Sequence, residues 1–263
     1  MDLQLNGKRA LVLGASRGLG FATARGLAKE GVQLAINSRY RENIESAARR
    51  LSKEVGENVI PLPGDLSDPK SPAEVTQSAA ETLGGLDILV TNSGGPPAGD
   101  FESFHDEDWS KAVDLNLLSH IRSIRAALPY LRKSESASVL TITSYSVKQP
   151  IPHLVLSNSI RAATVGLTKT LALELGADGI RFNSILPGWT KTERVYELMT
   201  HRAKLNGTTI EEEFSKQAKE SPFERMAEPE EFANAAVFLV SPAASYITGV
   251  MLTIDGGMYK GTL

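Results

Sequence analysis

The chain has no cysteine, which excludes disulfides and thiolate metal sites. Histidine is scarce: His105, His120, His153 and His201 are scattered, without the spacing that metal ligation requires. No apolar run approaches the ~18 residues that a membrane-spanning helix needs. The opening MDLQLNGKRALVLG has no basic segment followed by a long apolar core, so no signal peptide is expected. A formal net charge of −3 gives no reason to expect a nucleic-acid or membrane partner. Repeats, low-complexity tracts and Pro/Ser-rich linkers are missing as well. A soluble cytoplasmic protein is the expectation. Of its 263 residues 41% are apolar, enough for a substantial core.

What the sequence does contain is alternation. Short, continuously apolar runs fall at 9–14, 32–37, 58–62, 86–91, 138–143, 180–186 and 250–255. Continuous rather than alternating apolar character marks strands covered on both faces. Helix-length amphipathic segments fill the gaps at about 18–30, 40–55, 70–84, 106–132, 155–176 and 228–241. Gly31, Gly84 and Gly176 stand where helix C-caps belong. The pattern predicts one α/β domain over 1–263: a single Rossmann-like, doubly wound parallel sheet of about seven strands. The stretch 189–225 breaks the alternation, being long, polar and helix-prone. It reads as a substrate lid over the carboxyl edge of the sheet, where ligands bind in such folds. The run EEE at 211–213 reads as a solvated helix face.

After the first strand comes LGASRGLGFATARG, an apolar strand end, a glycine turn and a helix. Such a turn lets backbone approach a pyrophosphate, which the free N–H groups of the following helix then receive. Gly14, Ser16, Arg17, Gly18, Leu19 and Gly20 form the expected cradle. The second strand ends in INSRYRE, with no acid before Glu42. An NAD-selective site places a carboxylate there for the ribose 2′-hydroxyl. Ser38 and Arg39 suit a 2′-phosphate instead, with Arg17 as a second cation. NADP(H) is therefore expected over NAD(H).

One further stretch, LSNSIRAATVG, opens a helix and sets Ser157 and Arg161 one turn apart on one face. Neither is an ordinary acid–base catalyst near neutral pH.

The whole chain resembles the short-chain dehydrogenase/reductase family and is similar to its 3-oxoacyl-[acyl-carrier-protein] reductases. Gly14-xxx-Gly18-x-Gly20 is that family's version of the glycine loop. GDLSD puts Asp65 and Leu66 where the family holds adenine, and TNSGG puts Asn92 and Gly94 against the cofactor. Asn116 in DLNLLS matches the asparagine of the proton relay, and Ser144 in TITSYS the serine that binds the substrate carbonyl. LPGWTKT supplies Pro187 and Gly188, with Thr190 and Thr192 as ligands of the nicotinamide carboxamide. The family then carries Tyr-x-x-x-Lys thirteen residues after the serine, which in this chain lands on Ser157 and Arg161. The enoyl-reductase spacing Tyr-x₆-Lys is absent. A relative class that expels halide keeps the tyrosine and has lost the glycine loop, the reverse of this chain.

The resemblance implies an NADP(H)-dependent oxidoreductase interconverting a carbonyl and an alcohol, with a ketone or 3-oxoacyl substrate. Its catalytic residues would be Ser144, Asn116, Ser157 and Arg161. Losing a positioned general acid costs ~10²–10⁴ in rate. Juxtaposing hydride donor and carbonyl is worth an effective molarity of ~10⁵ M or more. Ser157, Tyr145 and His153 are the candidate proton donors. The alternative is a weak or inactive NADP(H)-binding homologue, a redox sensor or scaffold. The small-residue stripe Ala162, Ala163, Gly166 and Thr170, with the last strand, implies a homotetramer by resemblance, or a dimer.

Overall fold

A computed structural model describes residues 1–262. Its seven strands are all parallel and lie in the order β3-β2-β1-β4-β5-β6-β7. They are β1 (Arg9–Val12), β2 (Gln33–Ser38), β3 (Ile60–Pro63), β4 (Ile88–Thr91), β5 (Ser138–Ile142), β6 (Arg181–Pro187) and β7 (Met251–Ile254). The predicted doubly wound sheet is present, with each expected apolar run holding one strand.

Adjacent residues of one strand serve opposite cores, because side chains alternate across a sheet. Val12, Ile36 and Val90 face α1 (Gly18–Lys29), α2 (Arg41–Val55) and α9 (Pro229–Val240). Leu11, Ala35 and Leu89 face α3 (Ser71–Leu83), α5 (Ser119–Leu131) and α6 (Val155–Glu174). Strands buried on both faces explain the continuously apolar runs. Strand order reverses between β1 and β4, which opens a crevice beyond their carboxyl ends.

Two local expectations change. The single helix over 106–132 is three pieces: α4 (Asp106–Val113), a π-helical turn (Asp114–Leu118) and α5. Within the turn the Asn116 carbonyl accepts a hydrogen bond from the Thr164 hydroxyl on α6, 3.0 Å away. Gly176 does not cap α6; it opens a 3₁₀ turn, and Gly179 takes the left-handed conformation at φ +75°.

Between β6 and β7, α7 (Glu193–Asn206) and α8 (Ile210–Ala218) fill the segment expected to form a lid. Thr192 and Thr209 cap them through side-chain oxygens. Val195 and Met199 of α7 seat on Trp189, Tyr145, Met226 and Met258, a cluster separate from the two sheet cores. Among the described residues no helix is long and apolar enough to cross a membrane.

The amino-terminal edge is clamped by one buried carboxylate. Asp87 accepts from the Arg9 backbone and guanidinium at 2.9 Å and from the Ser134 hydroxyl at 2.6 Å. Burial pushes the Asp87 carboxyl up, but the Arg9 and Ser134 hydrogen bonds outweigh it and hold it at about 2. A pKa below the unfolded value adds stability above about pH 4, lost as pH falls toward 2. Asp87→Asn is expected to lower the unfolding free energy at pH 7 by on the order of 2 kcal/mol. It should also flatten the acid limb between about pH 4 and pH 2. Urea melts across that range check this, and an acid limb unchanged in the variant contradicts it.

Candidate active site

The crevice starts at the glycine loop. Gly14 and Gly18 sit at φ +59° and +60°, where a side chain is strained. Gly20 is packed so closely that a Cβ there would collide with the Gly14 carbonyl oxygen and approach Asn92 Nδ2. Asn92, just past β4, donates from Nδ2 to that carbonyl at 3.0 Å and ties the loop to the neighbouring strand. Arg17 precedes α1 in an extended conformation with no side-chain cap. The first-turn N–H groups of Gly18, Leu19 and Gly20 therefore lack a side-chain acceptor, beside the half-buried Ser16. That donor set, at the positive end of a helix dipole, fits a pyrophosphate.

At the tip of β2, Asn37 is buried and donates to the carbonyls of Leu62 and Gly64. Ser38 makes only a 3.5 Å contact with the Tyr40 carbonyl. The Arg39 guanidinium lies 4.5 Å over the Tyr40 ring, whereas Arg41 pairs with Glu45 on α2. Among the described residues Arg39 is thus an exposed cation without a carboxylate, at an acid-free tip, as a 2′-phosphate requires. Arg17 differs from the expectation of a second free cation: it bonds Glu197 of α7 at 3.0 Å. Asp65 accepts from Ser67 in a tight turn, and the Leu66 side chain is buried under the sheet.

The strand tips bring the remaining residues together. The Arg161 guanidinium crosses the end of β5. Its Nε donates to Ser157 Oγ at 3.2 Å, and its Nη1 to the carbonyls of Ile142 and Thr143 at 3.2 and 3.1 Å. Nη2 has no hydrogen-bond partner among the described residues and lies 3.9 Å from where a Cβ on Gly95 would stand. Burial, and then the like charge of Arg194, push Arg161 down to about 10, so it stays protonated at neutral pH. Ser144 follows Thr143; its oxygen accepts from the Ser146 N–H at 3.1 Å, which leaves its hydroxyl proton for a ligand.

Asn116 lies behind this group in the π-helical turn, a distortion frequent at functional sites. Its Nδ2 donates to Ser93 Oγ at 2.8 Å and the Gly94 carbonyl at 2.7 Å, while its buried Oδ1 lacks a protein partner. Ser93 also contacts His120 Nε2 at 3.5 Å. Burial, and then the charge of Arg161, push His120 down to about 3, so its ring is neutral. Sequence reasoning missed Ser93 and His120. Ser93 stood inside the TNSGG turn, whereas nothing local connected His120 to it.

On the other wall Pro187 ends β6, and Gly188 packs so tightly on Asp255 that a Cβ would meet it at 2.7 Å. Thr190 is buried, while Thr192 sits 3.7 Å from the Cβ position of Gly18. The Pro-Gly segment and the glycine loop are therefore opposed. Tyr145 turns away into the Trp189–methionine cluster, and burial raises its pKa. His153 is exposed and pairs with Asp100 at 2.9 Å. Among the described residues no group of three or more His, Cys, Asp or Glu is placed to hold a metal.

Contrasting glycines test this geometry. Gly20→Ala is expected to destabilise by ~1–3 kcal/mol through overpacking of backbone. Gly94→Ala meets nothing within 4 Å and should shift the unfolding free energy by less than ~0.5 kcal/mol. Denaturant melts of the two variants check this; equal effects would contradict the packing described.

Residues 14–259 match the family profile described as Enoyl-(Acyl carrier protein) reductase. The chain is 31% identical over 254 residues to the NADPH-dependent reductase BacG of Bacillus subtilis, covering 96% of this chain and 98% of that one. L-sorbose reductase from Gluconobacter frateurii, solved with NADPH and L-sorbose, superposes with a TM-score of 0.95 at 33% identity, over 99% of this chain and 100% of that one. An NADPH-bound short-chain oxidoreductase from Pseudomonas aeruginosa PAO1, described as containing an atypical catalytic center, superposes with a TM-score of 0.88 at 29% identity, over 97% and 98%.

Proposed function

The chain belongs to the short-chain dehydrogenase/reductase family, and on that premise we propose that it is an NADP(H)-dependent oxidoreductase interconverting a carbonyl and an alcohol. The observation that carries the reading is the fixed guanidinium of Arg161, which bonds the Thr143 carbonyl next to Ser144 and keeps one nitrogen unpartnered near Gly95 among the described residues. A protein that only binds a dinucleotide has no need of two donors converging there.

When bound, NADP(H) supplies the hydride for the carbonyl carbon. Gly14 through Gly20 receive the pyrophosphate, Ser38 and Arg39 the 2′-phosphate, and Asp65 with the Leu66 backbone the adenine. Asn92, Gly94, Pro187, Gly188, Thr190 and Thr192 frame the nicotinamide end, and Arg161 holds its ribose. Helices α7 and α8 form the lid over 189–225.

Ser144 donates its hydroxyl proton in a hydrogen bond to the substrate carbonyl oxygen. Arg161 Nη2 adds a charged donor to the same oxygen as negative charge develops on it. Arg161 does not surrender a proton, since its pKa of about 10 keeps it charged. Ser157 accepts from Arg161 Nε, so its own O–H is free to point at the alkoxide. It passes its proton there and is resupplied from solvent, with Asn116 ordering the wall behind it. A serine hydroxyl is a weaker acid than tyrosine, and a slow or specialised reductase follows. His120, held neutral, orients Ser93 and Asn116.

Two measurements test the reading. Arg39→Ala should weaken NADPH binding about tenfold, the scale of one charge-assisted contact, and leave NADH binding unchanged. With NADPH and a panel of ketones and 3-oxoacyl thioesters, Ser144→Ala should lower kcat by ~10²–10³. NADPH binding without turnover, with turnover appearing on Ser157→Tyr plus Arg161→Lys, would instead assign a binding role.

A further inference from the structure

Helix α7 brings a second arginine to the mouth of the crevice. Arg194 lies two residues beyond the Thr192 cap and donates from Nη2 to the Pro96 carbonyl at 3.2 Å. Pro96 follows Gly95, the residue beside which Arg161 Nη2 lies. Guanidinium groups from α6 and α7 thus meet over two consecutive residues of one loop. That loop is the wall joined to the start of α6: the Gly99 N–H donates to the His153 carbonyl at 2.7 Å, four residues before Ser157. Arg194 is fastened to that loop, and Glu197 lies between it and Arg17 at the start of α1.

Neither cation has a close carboxylate among the described residues. Arg161 has no carboxylate within ion-pair distance among the described residues. Arg194 approaches Glu197 Oε2 only at 3.8 Å, and the other oxygen of that carboxylate bonds Arg17 at 3.0 Å. Glu193 leans toward Gly18, 3.8 Å from its Cβ position, and His120 is neutral. Two neighbouring guanidinium groups with one long ion pair between them make a site for an anion. Their planar forks match a carboxylate bidentately.

We propose that the substrate is a small oxo acid whose carboxylate is gripped by Arg194 while Ser144 and Arg161 hold its carbonyl. This rests on the oxidoreductase reading above. It makes Arg194 a specificity-determining residue.

The test uses the full chain, Arg194→Gln and Arg194→Lys. Butyrate and methyl butyrate, which cannot be reduced, are added to the NADP⁺-loaded protein and thermal unfolding is followed. Butyrate should raise the midpoint of the native protein and of Arg194→Lys, but not of Arg194→Gln; methyl butyrate should raise none. In turnover of acetoacetate, 2-oxobutanoate and levulinate against their methyl esters, Arg194→Gln should lower the acid-to-ester ratio of kcat/KM at least tenfold. That loss should fall on KM, with NADPH affinity within twofold of native. Equal stabilisation by acid and ester overturns the proposal. A tenfold loss of NADPH affinity in Arg194→Gln overturns it too, by placing the guanidinium on a cofactor phosphate. Turnover of a neutral ketone such as L-sorbose with no response to any oxo acid removes the proposal and leaves the oxidoreductase reading intact. Butyrate stabilisation with no turnover of any carbonyl removes the oxidoreductase reading and with it the substrate assignment, leaving an anion site.

Discussion

Everything at the crevice depends on how Arg161 is held. Three contacts, to Ser157 Oγ and to the carbonyls of Ile142 and Thr143, tie a side chain of α6 to the carboxyl end of β5. A guanidinium is planar and keeps its charge, so those contacts fix both its position and the direction of its remaining nitrogen. A lysine at the same place would present a rotatable point charge. A tyrosine at position 157 would present its hydroxyl further from the helix. Ser157 is shorter, and its oxygen lies within reach of the cation. Ser157 and Arg161 are mutually consistent: Ser157 supplies the oxygen to which Arg161 Nε donates.

A second constraint runs through the backbone. Asn92, Gly14 and Gly20 lock the β1 turn to β4 at the point where strand order reverses. From there the loop over 92–96 carries contacts in both directions. Asn116 fastens it from behind, while Arg161 and Arg194 approach it from α6 and α7. In the π-helical turn that carries Asn116, Thr164 bonds its carbonyl across the helix pair. Amino-terminal and carboxyl-terminal edges divide the labour: the Asp87 clamp stabilises, and the opposite edge gathers polar groups that the core cannot use.

Much of this was legible along the chain. Apolar runs located the seven strands, and the glycines located the first turn, because both signals are local. Gly84 signalled a left-handed cap and adopts φ +72°; Gly176 sent the same signal and did not, since a 3₁₀ turn carried the chain on to Gly179. The helix over 106–132 looked continuous because its hydrophobic period survives an inserted residue. Ser144, Ser157 and Arg161 could be paired by counting from a resemblance. Their hydrogen bonds could not, as they depend on where β5 ends relative to α6.

Sequence alone determined the fold class, the glycine turn after β1, the acid-free tip of β2 and the Ser157–Arg161 spacing of one helical turn. Each is a property of neighbouring residues, and short-range sterics and hydrophobic period encode it directly. Tertiary structure decided the rest: that Tyr145 faces a methionine cluster, that His120 stands behind Ser93, that Glu197 claims Arg17 and that Arg194 joins Arg161. Those residues are separated by tens to more than a hundred positions. Their juxtaposition follows from strand order and helix packing, which no local pattern specifies.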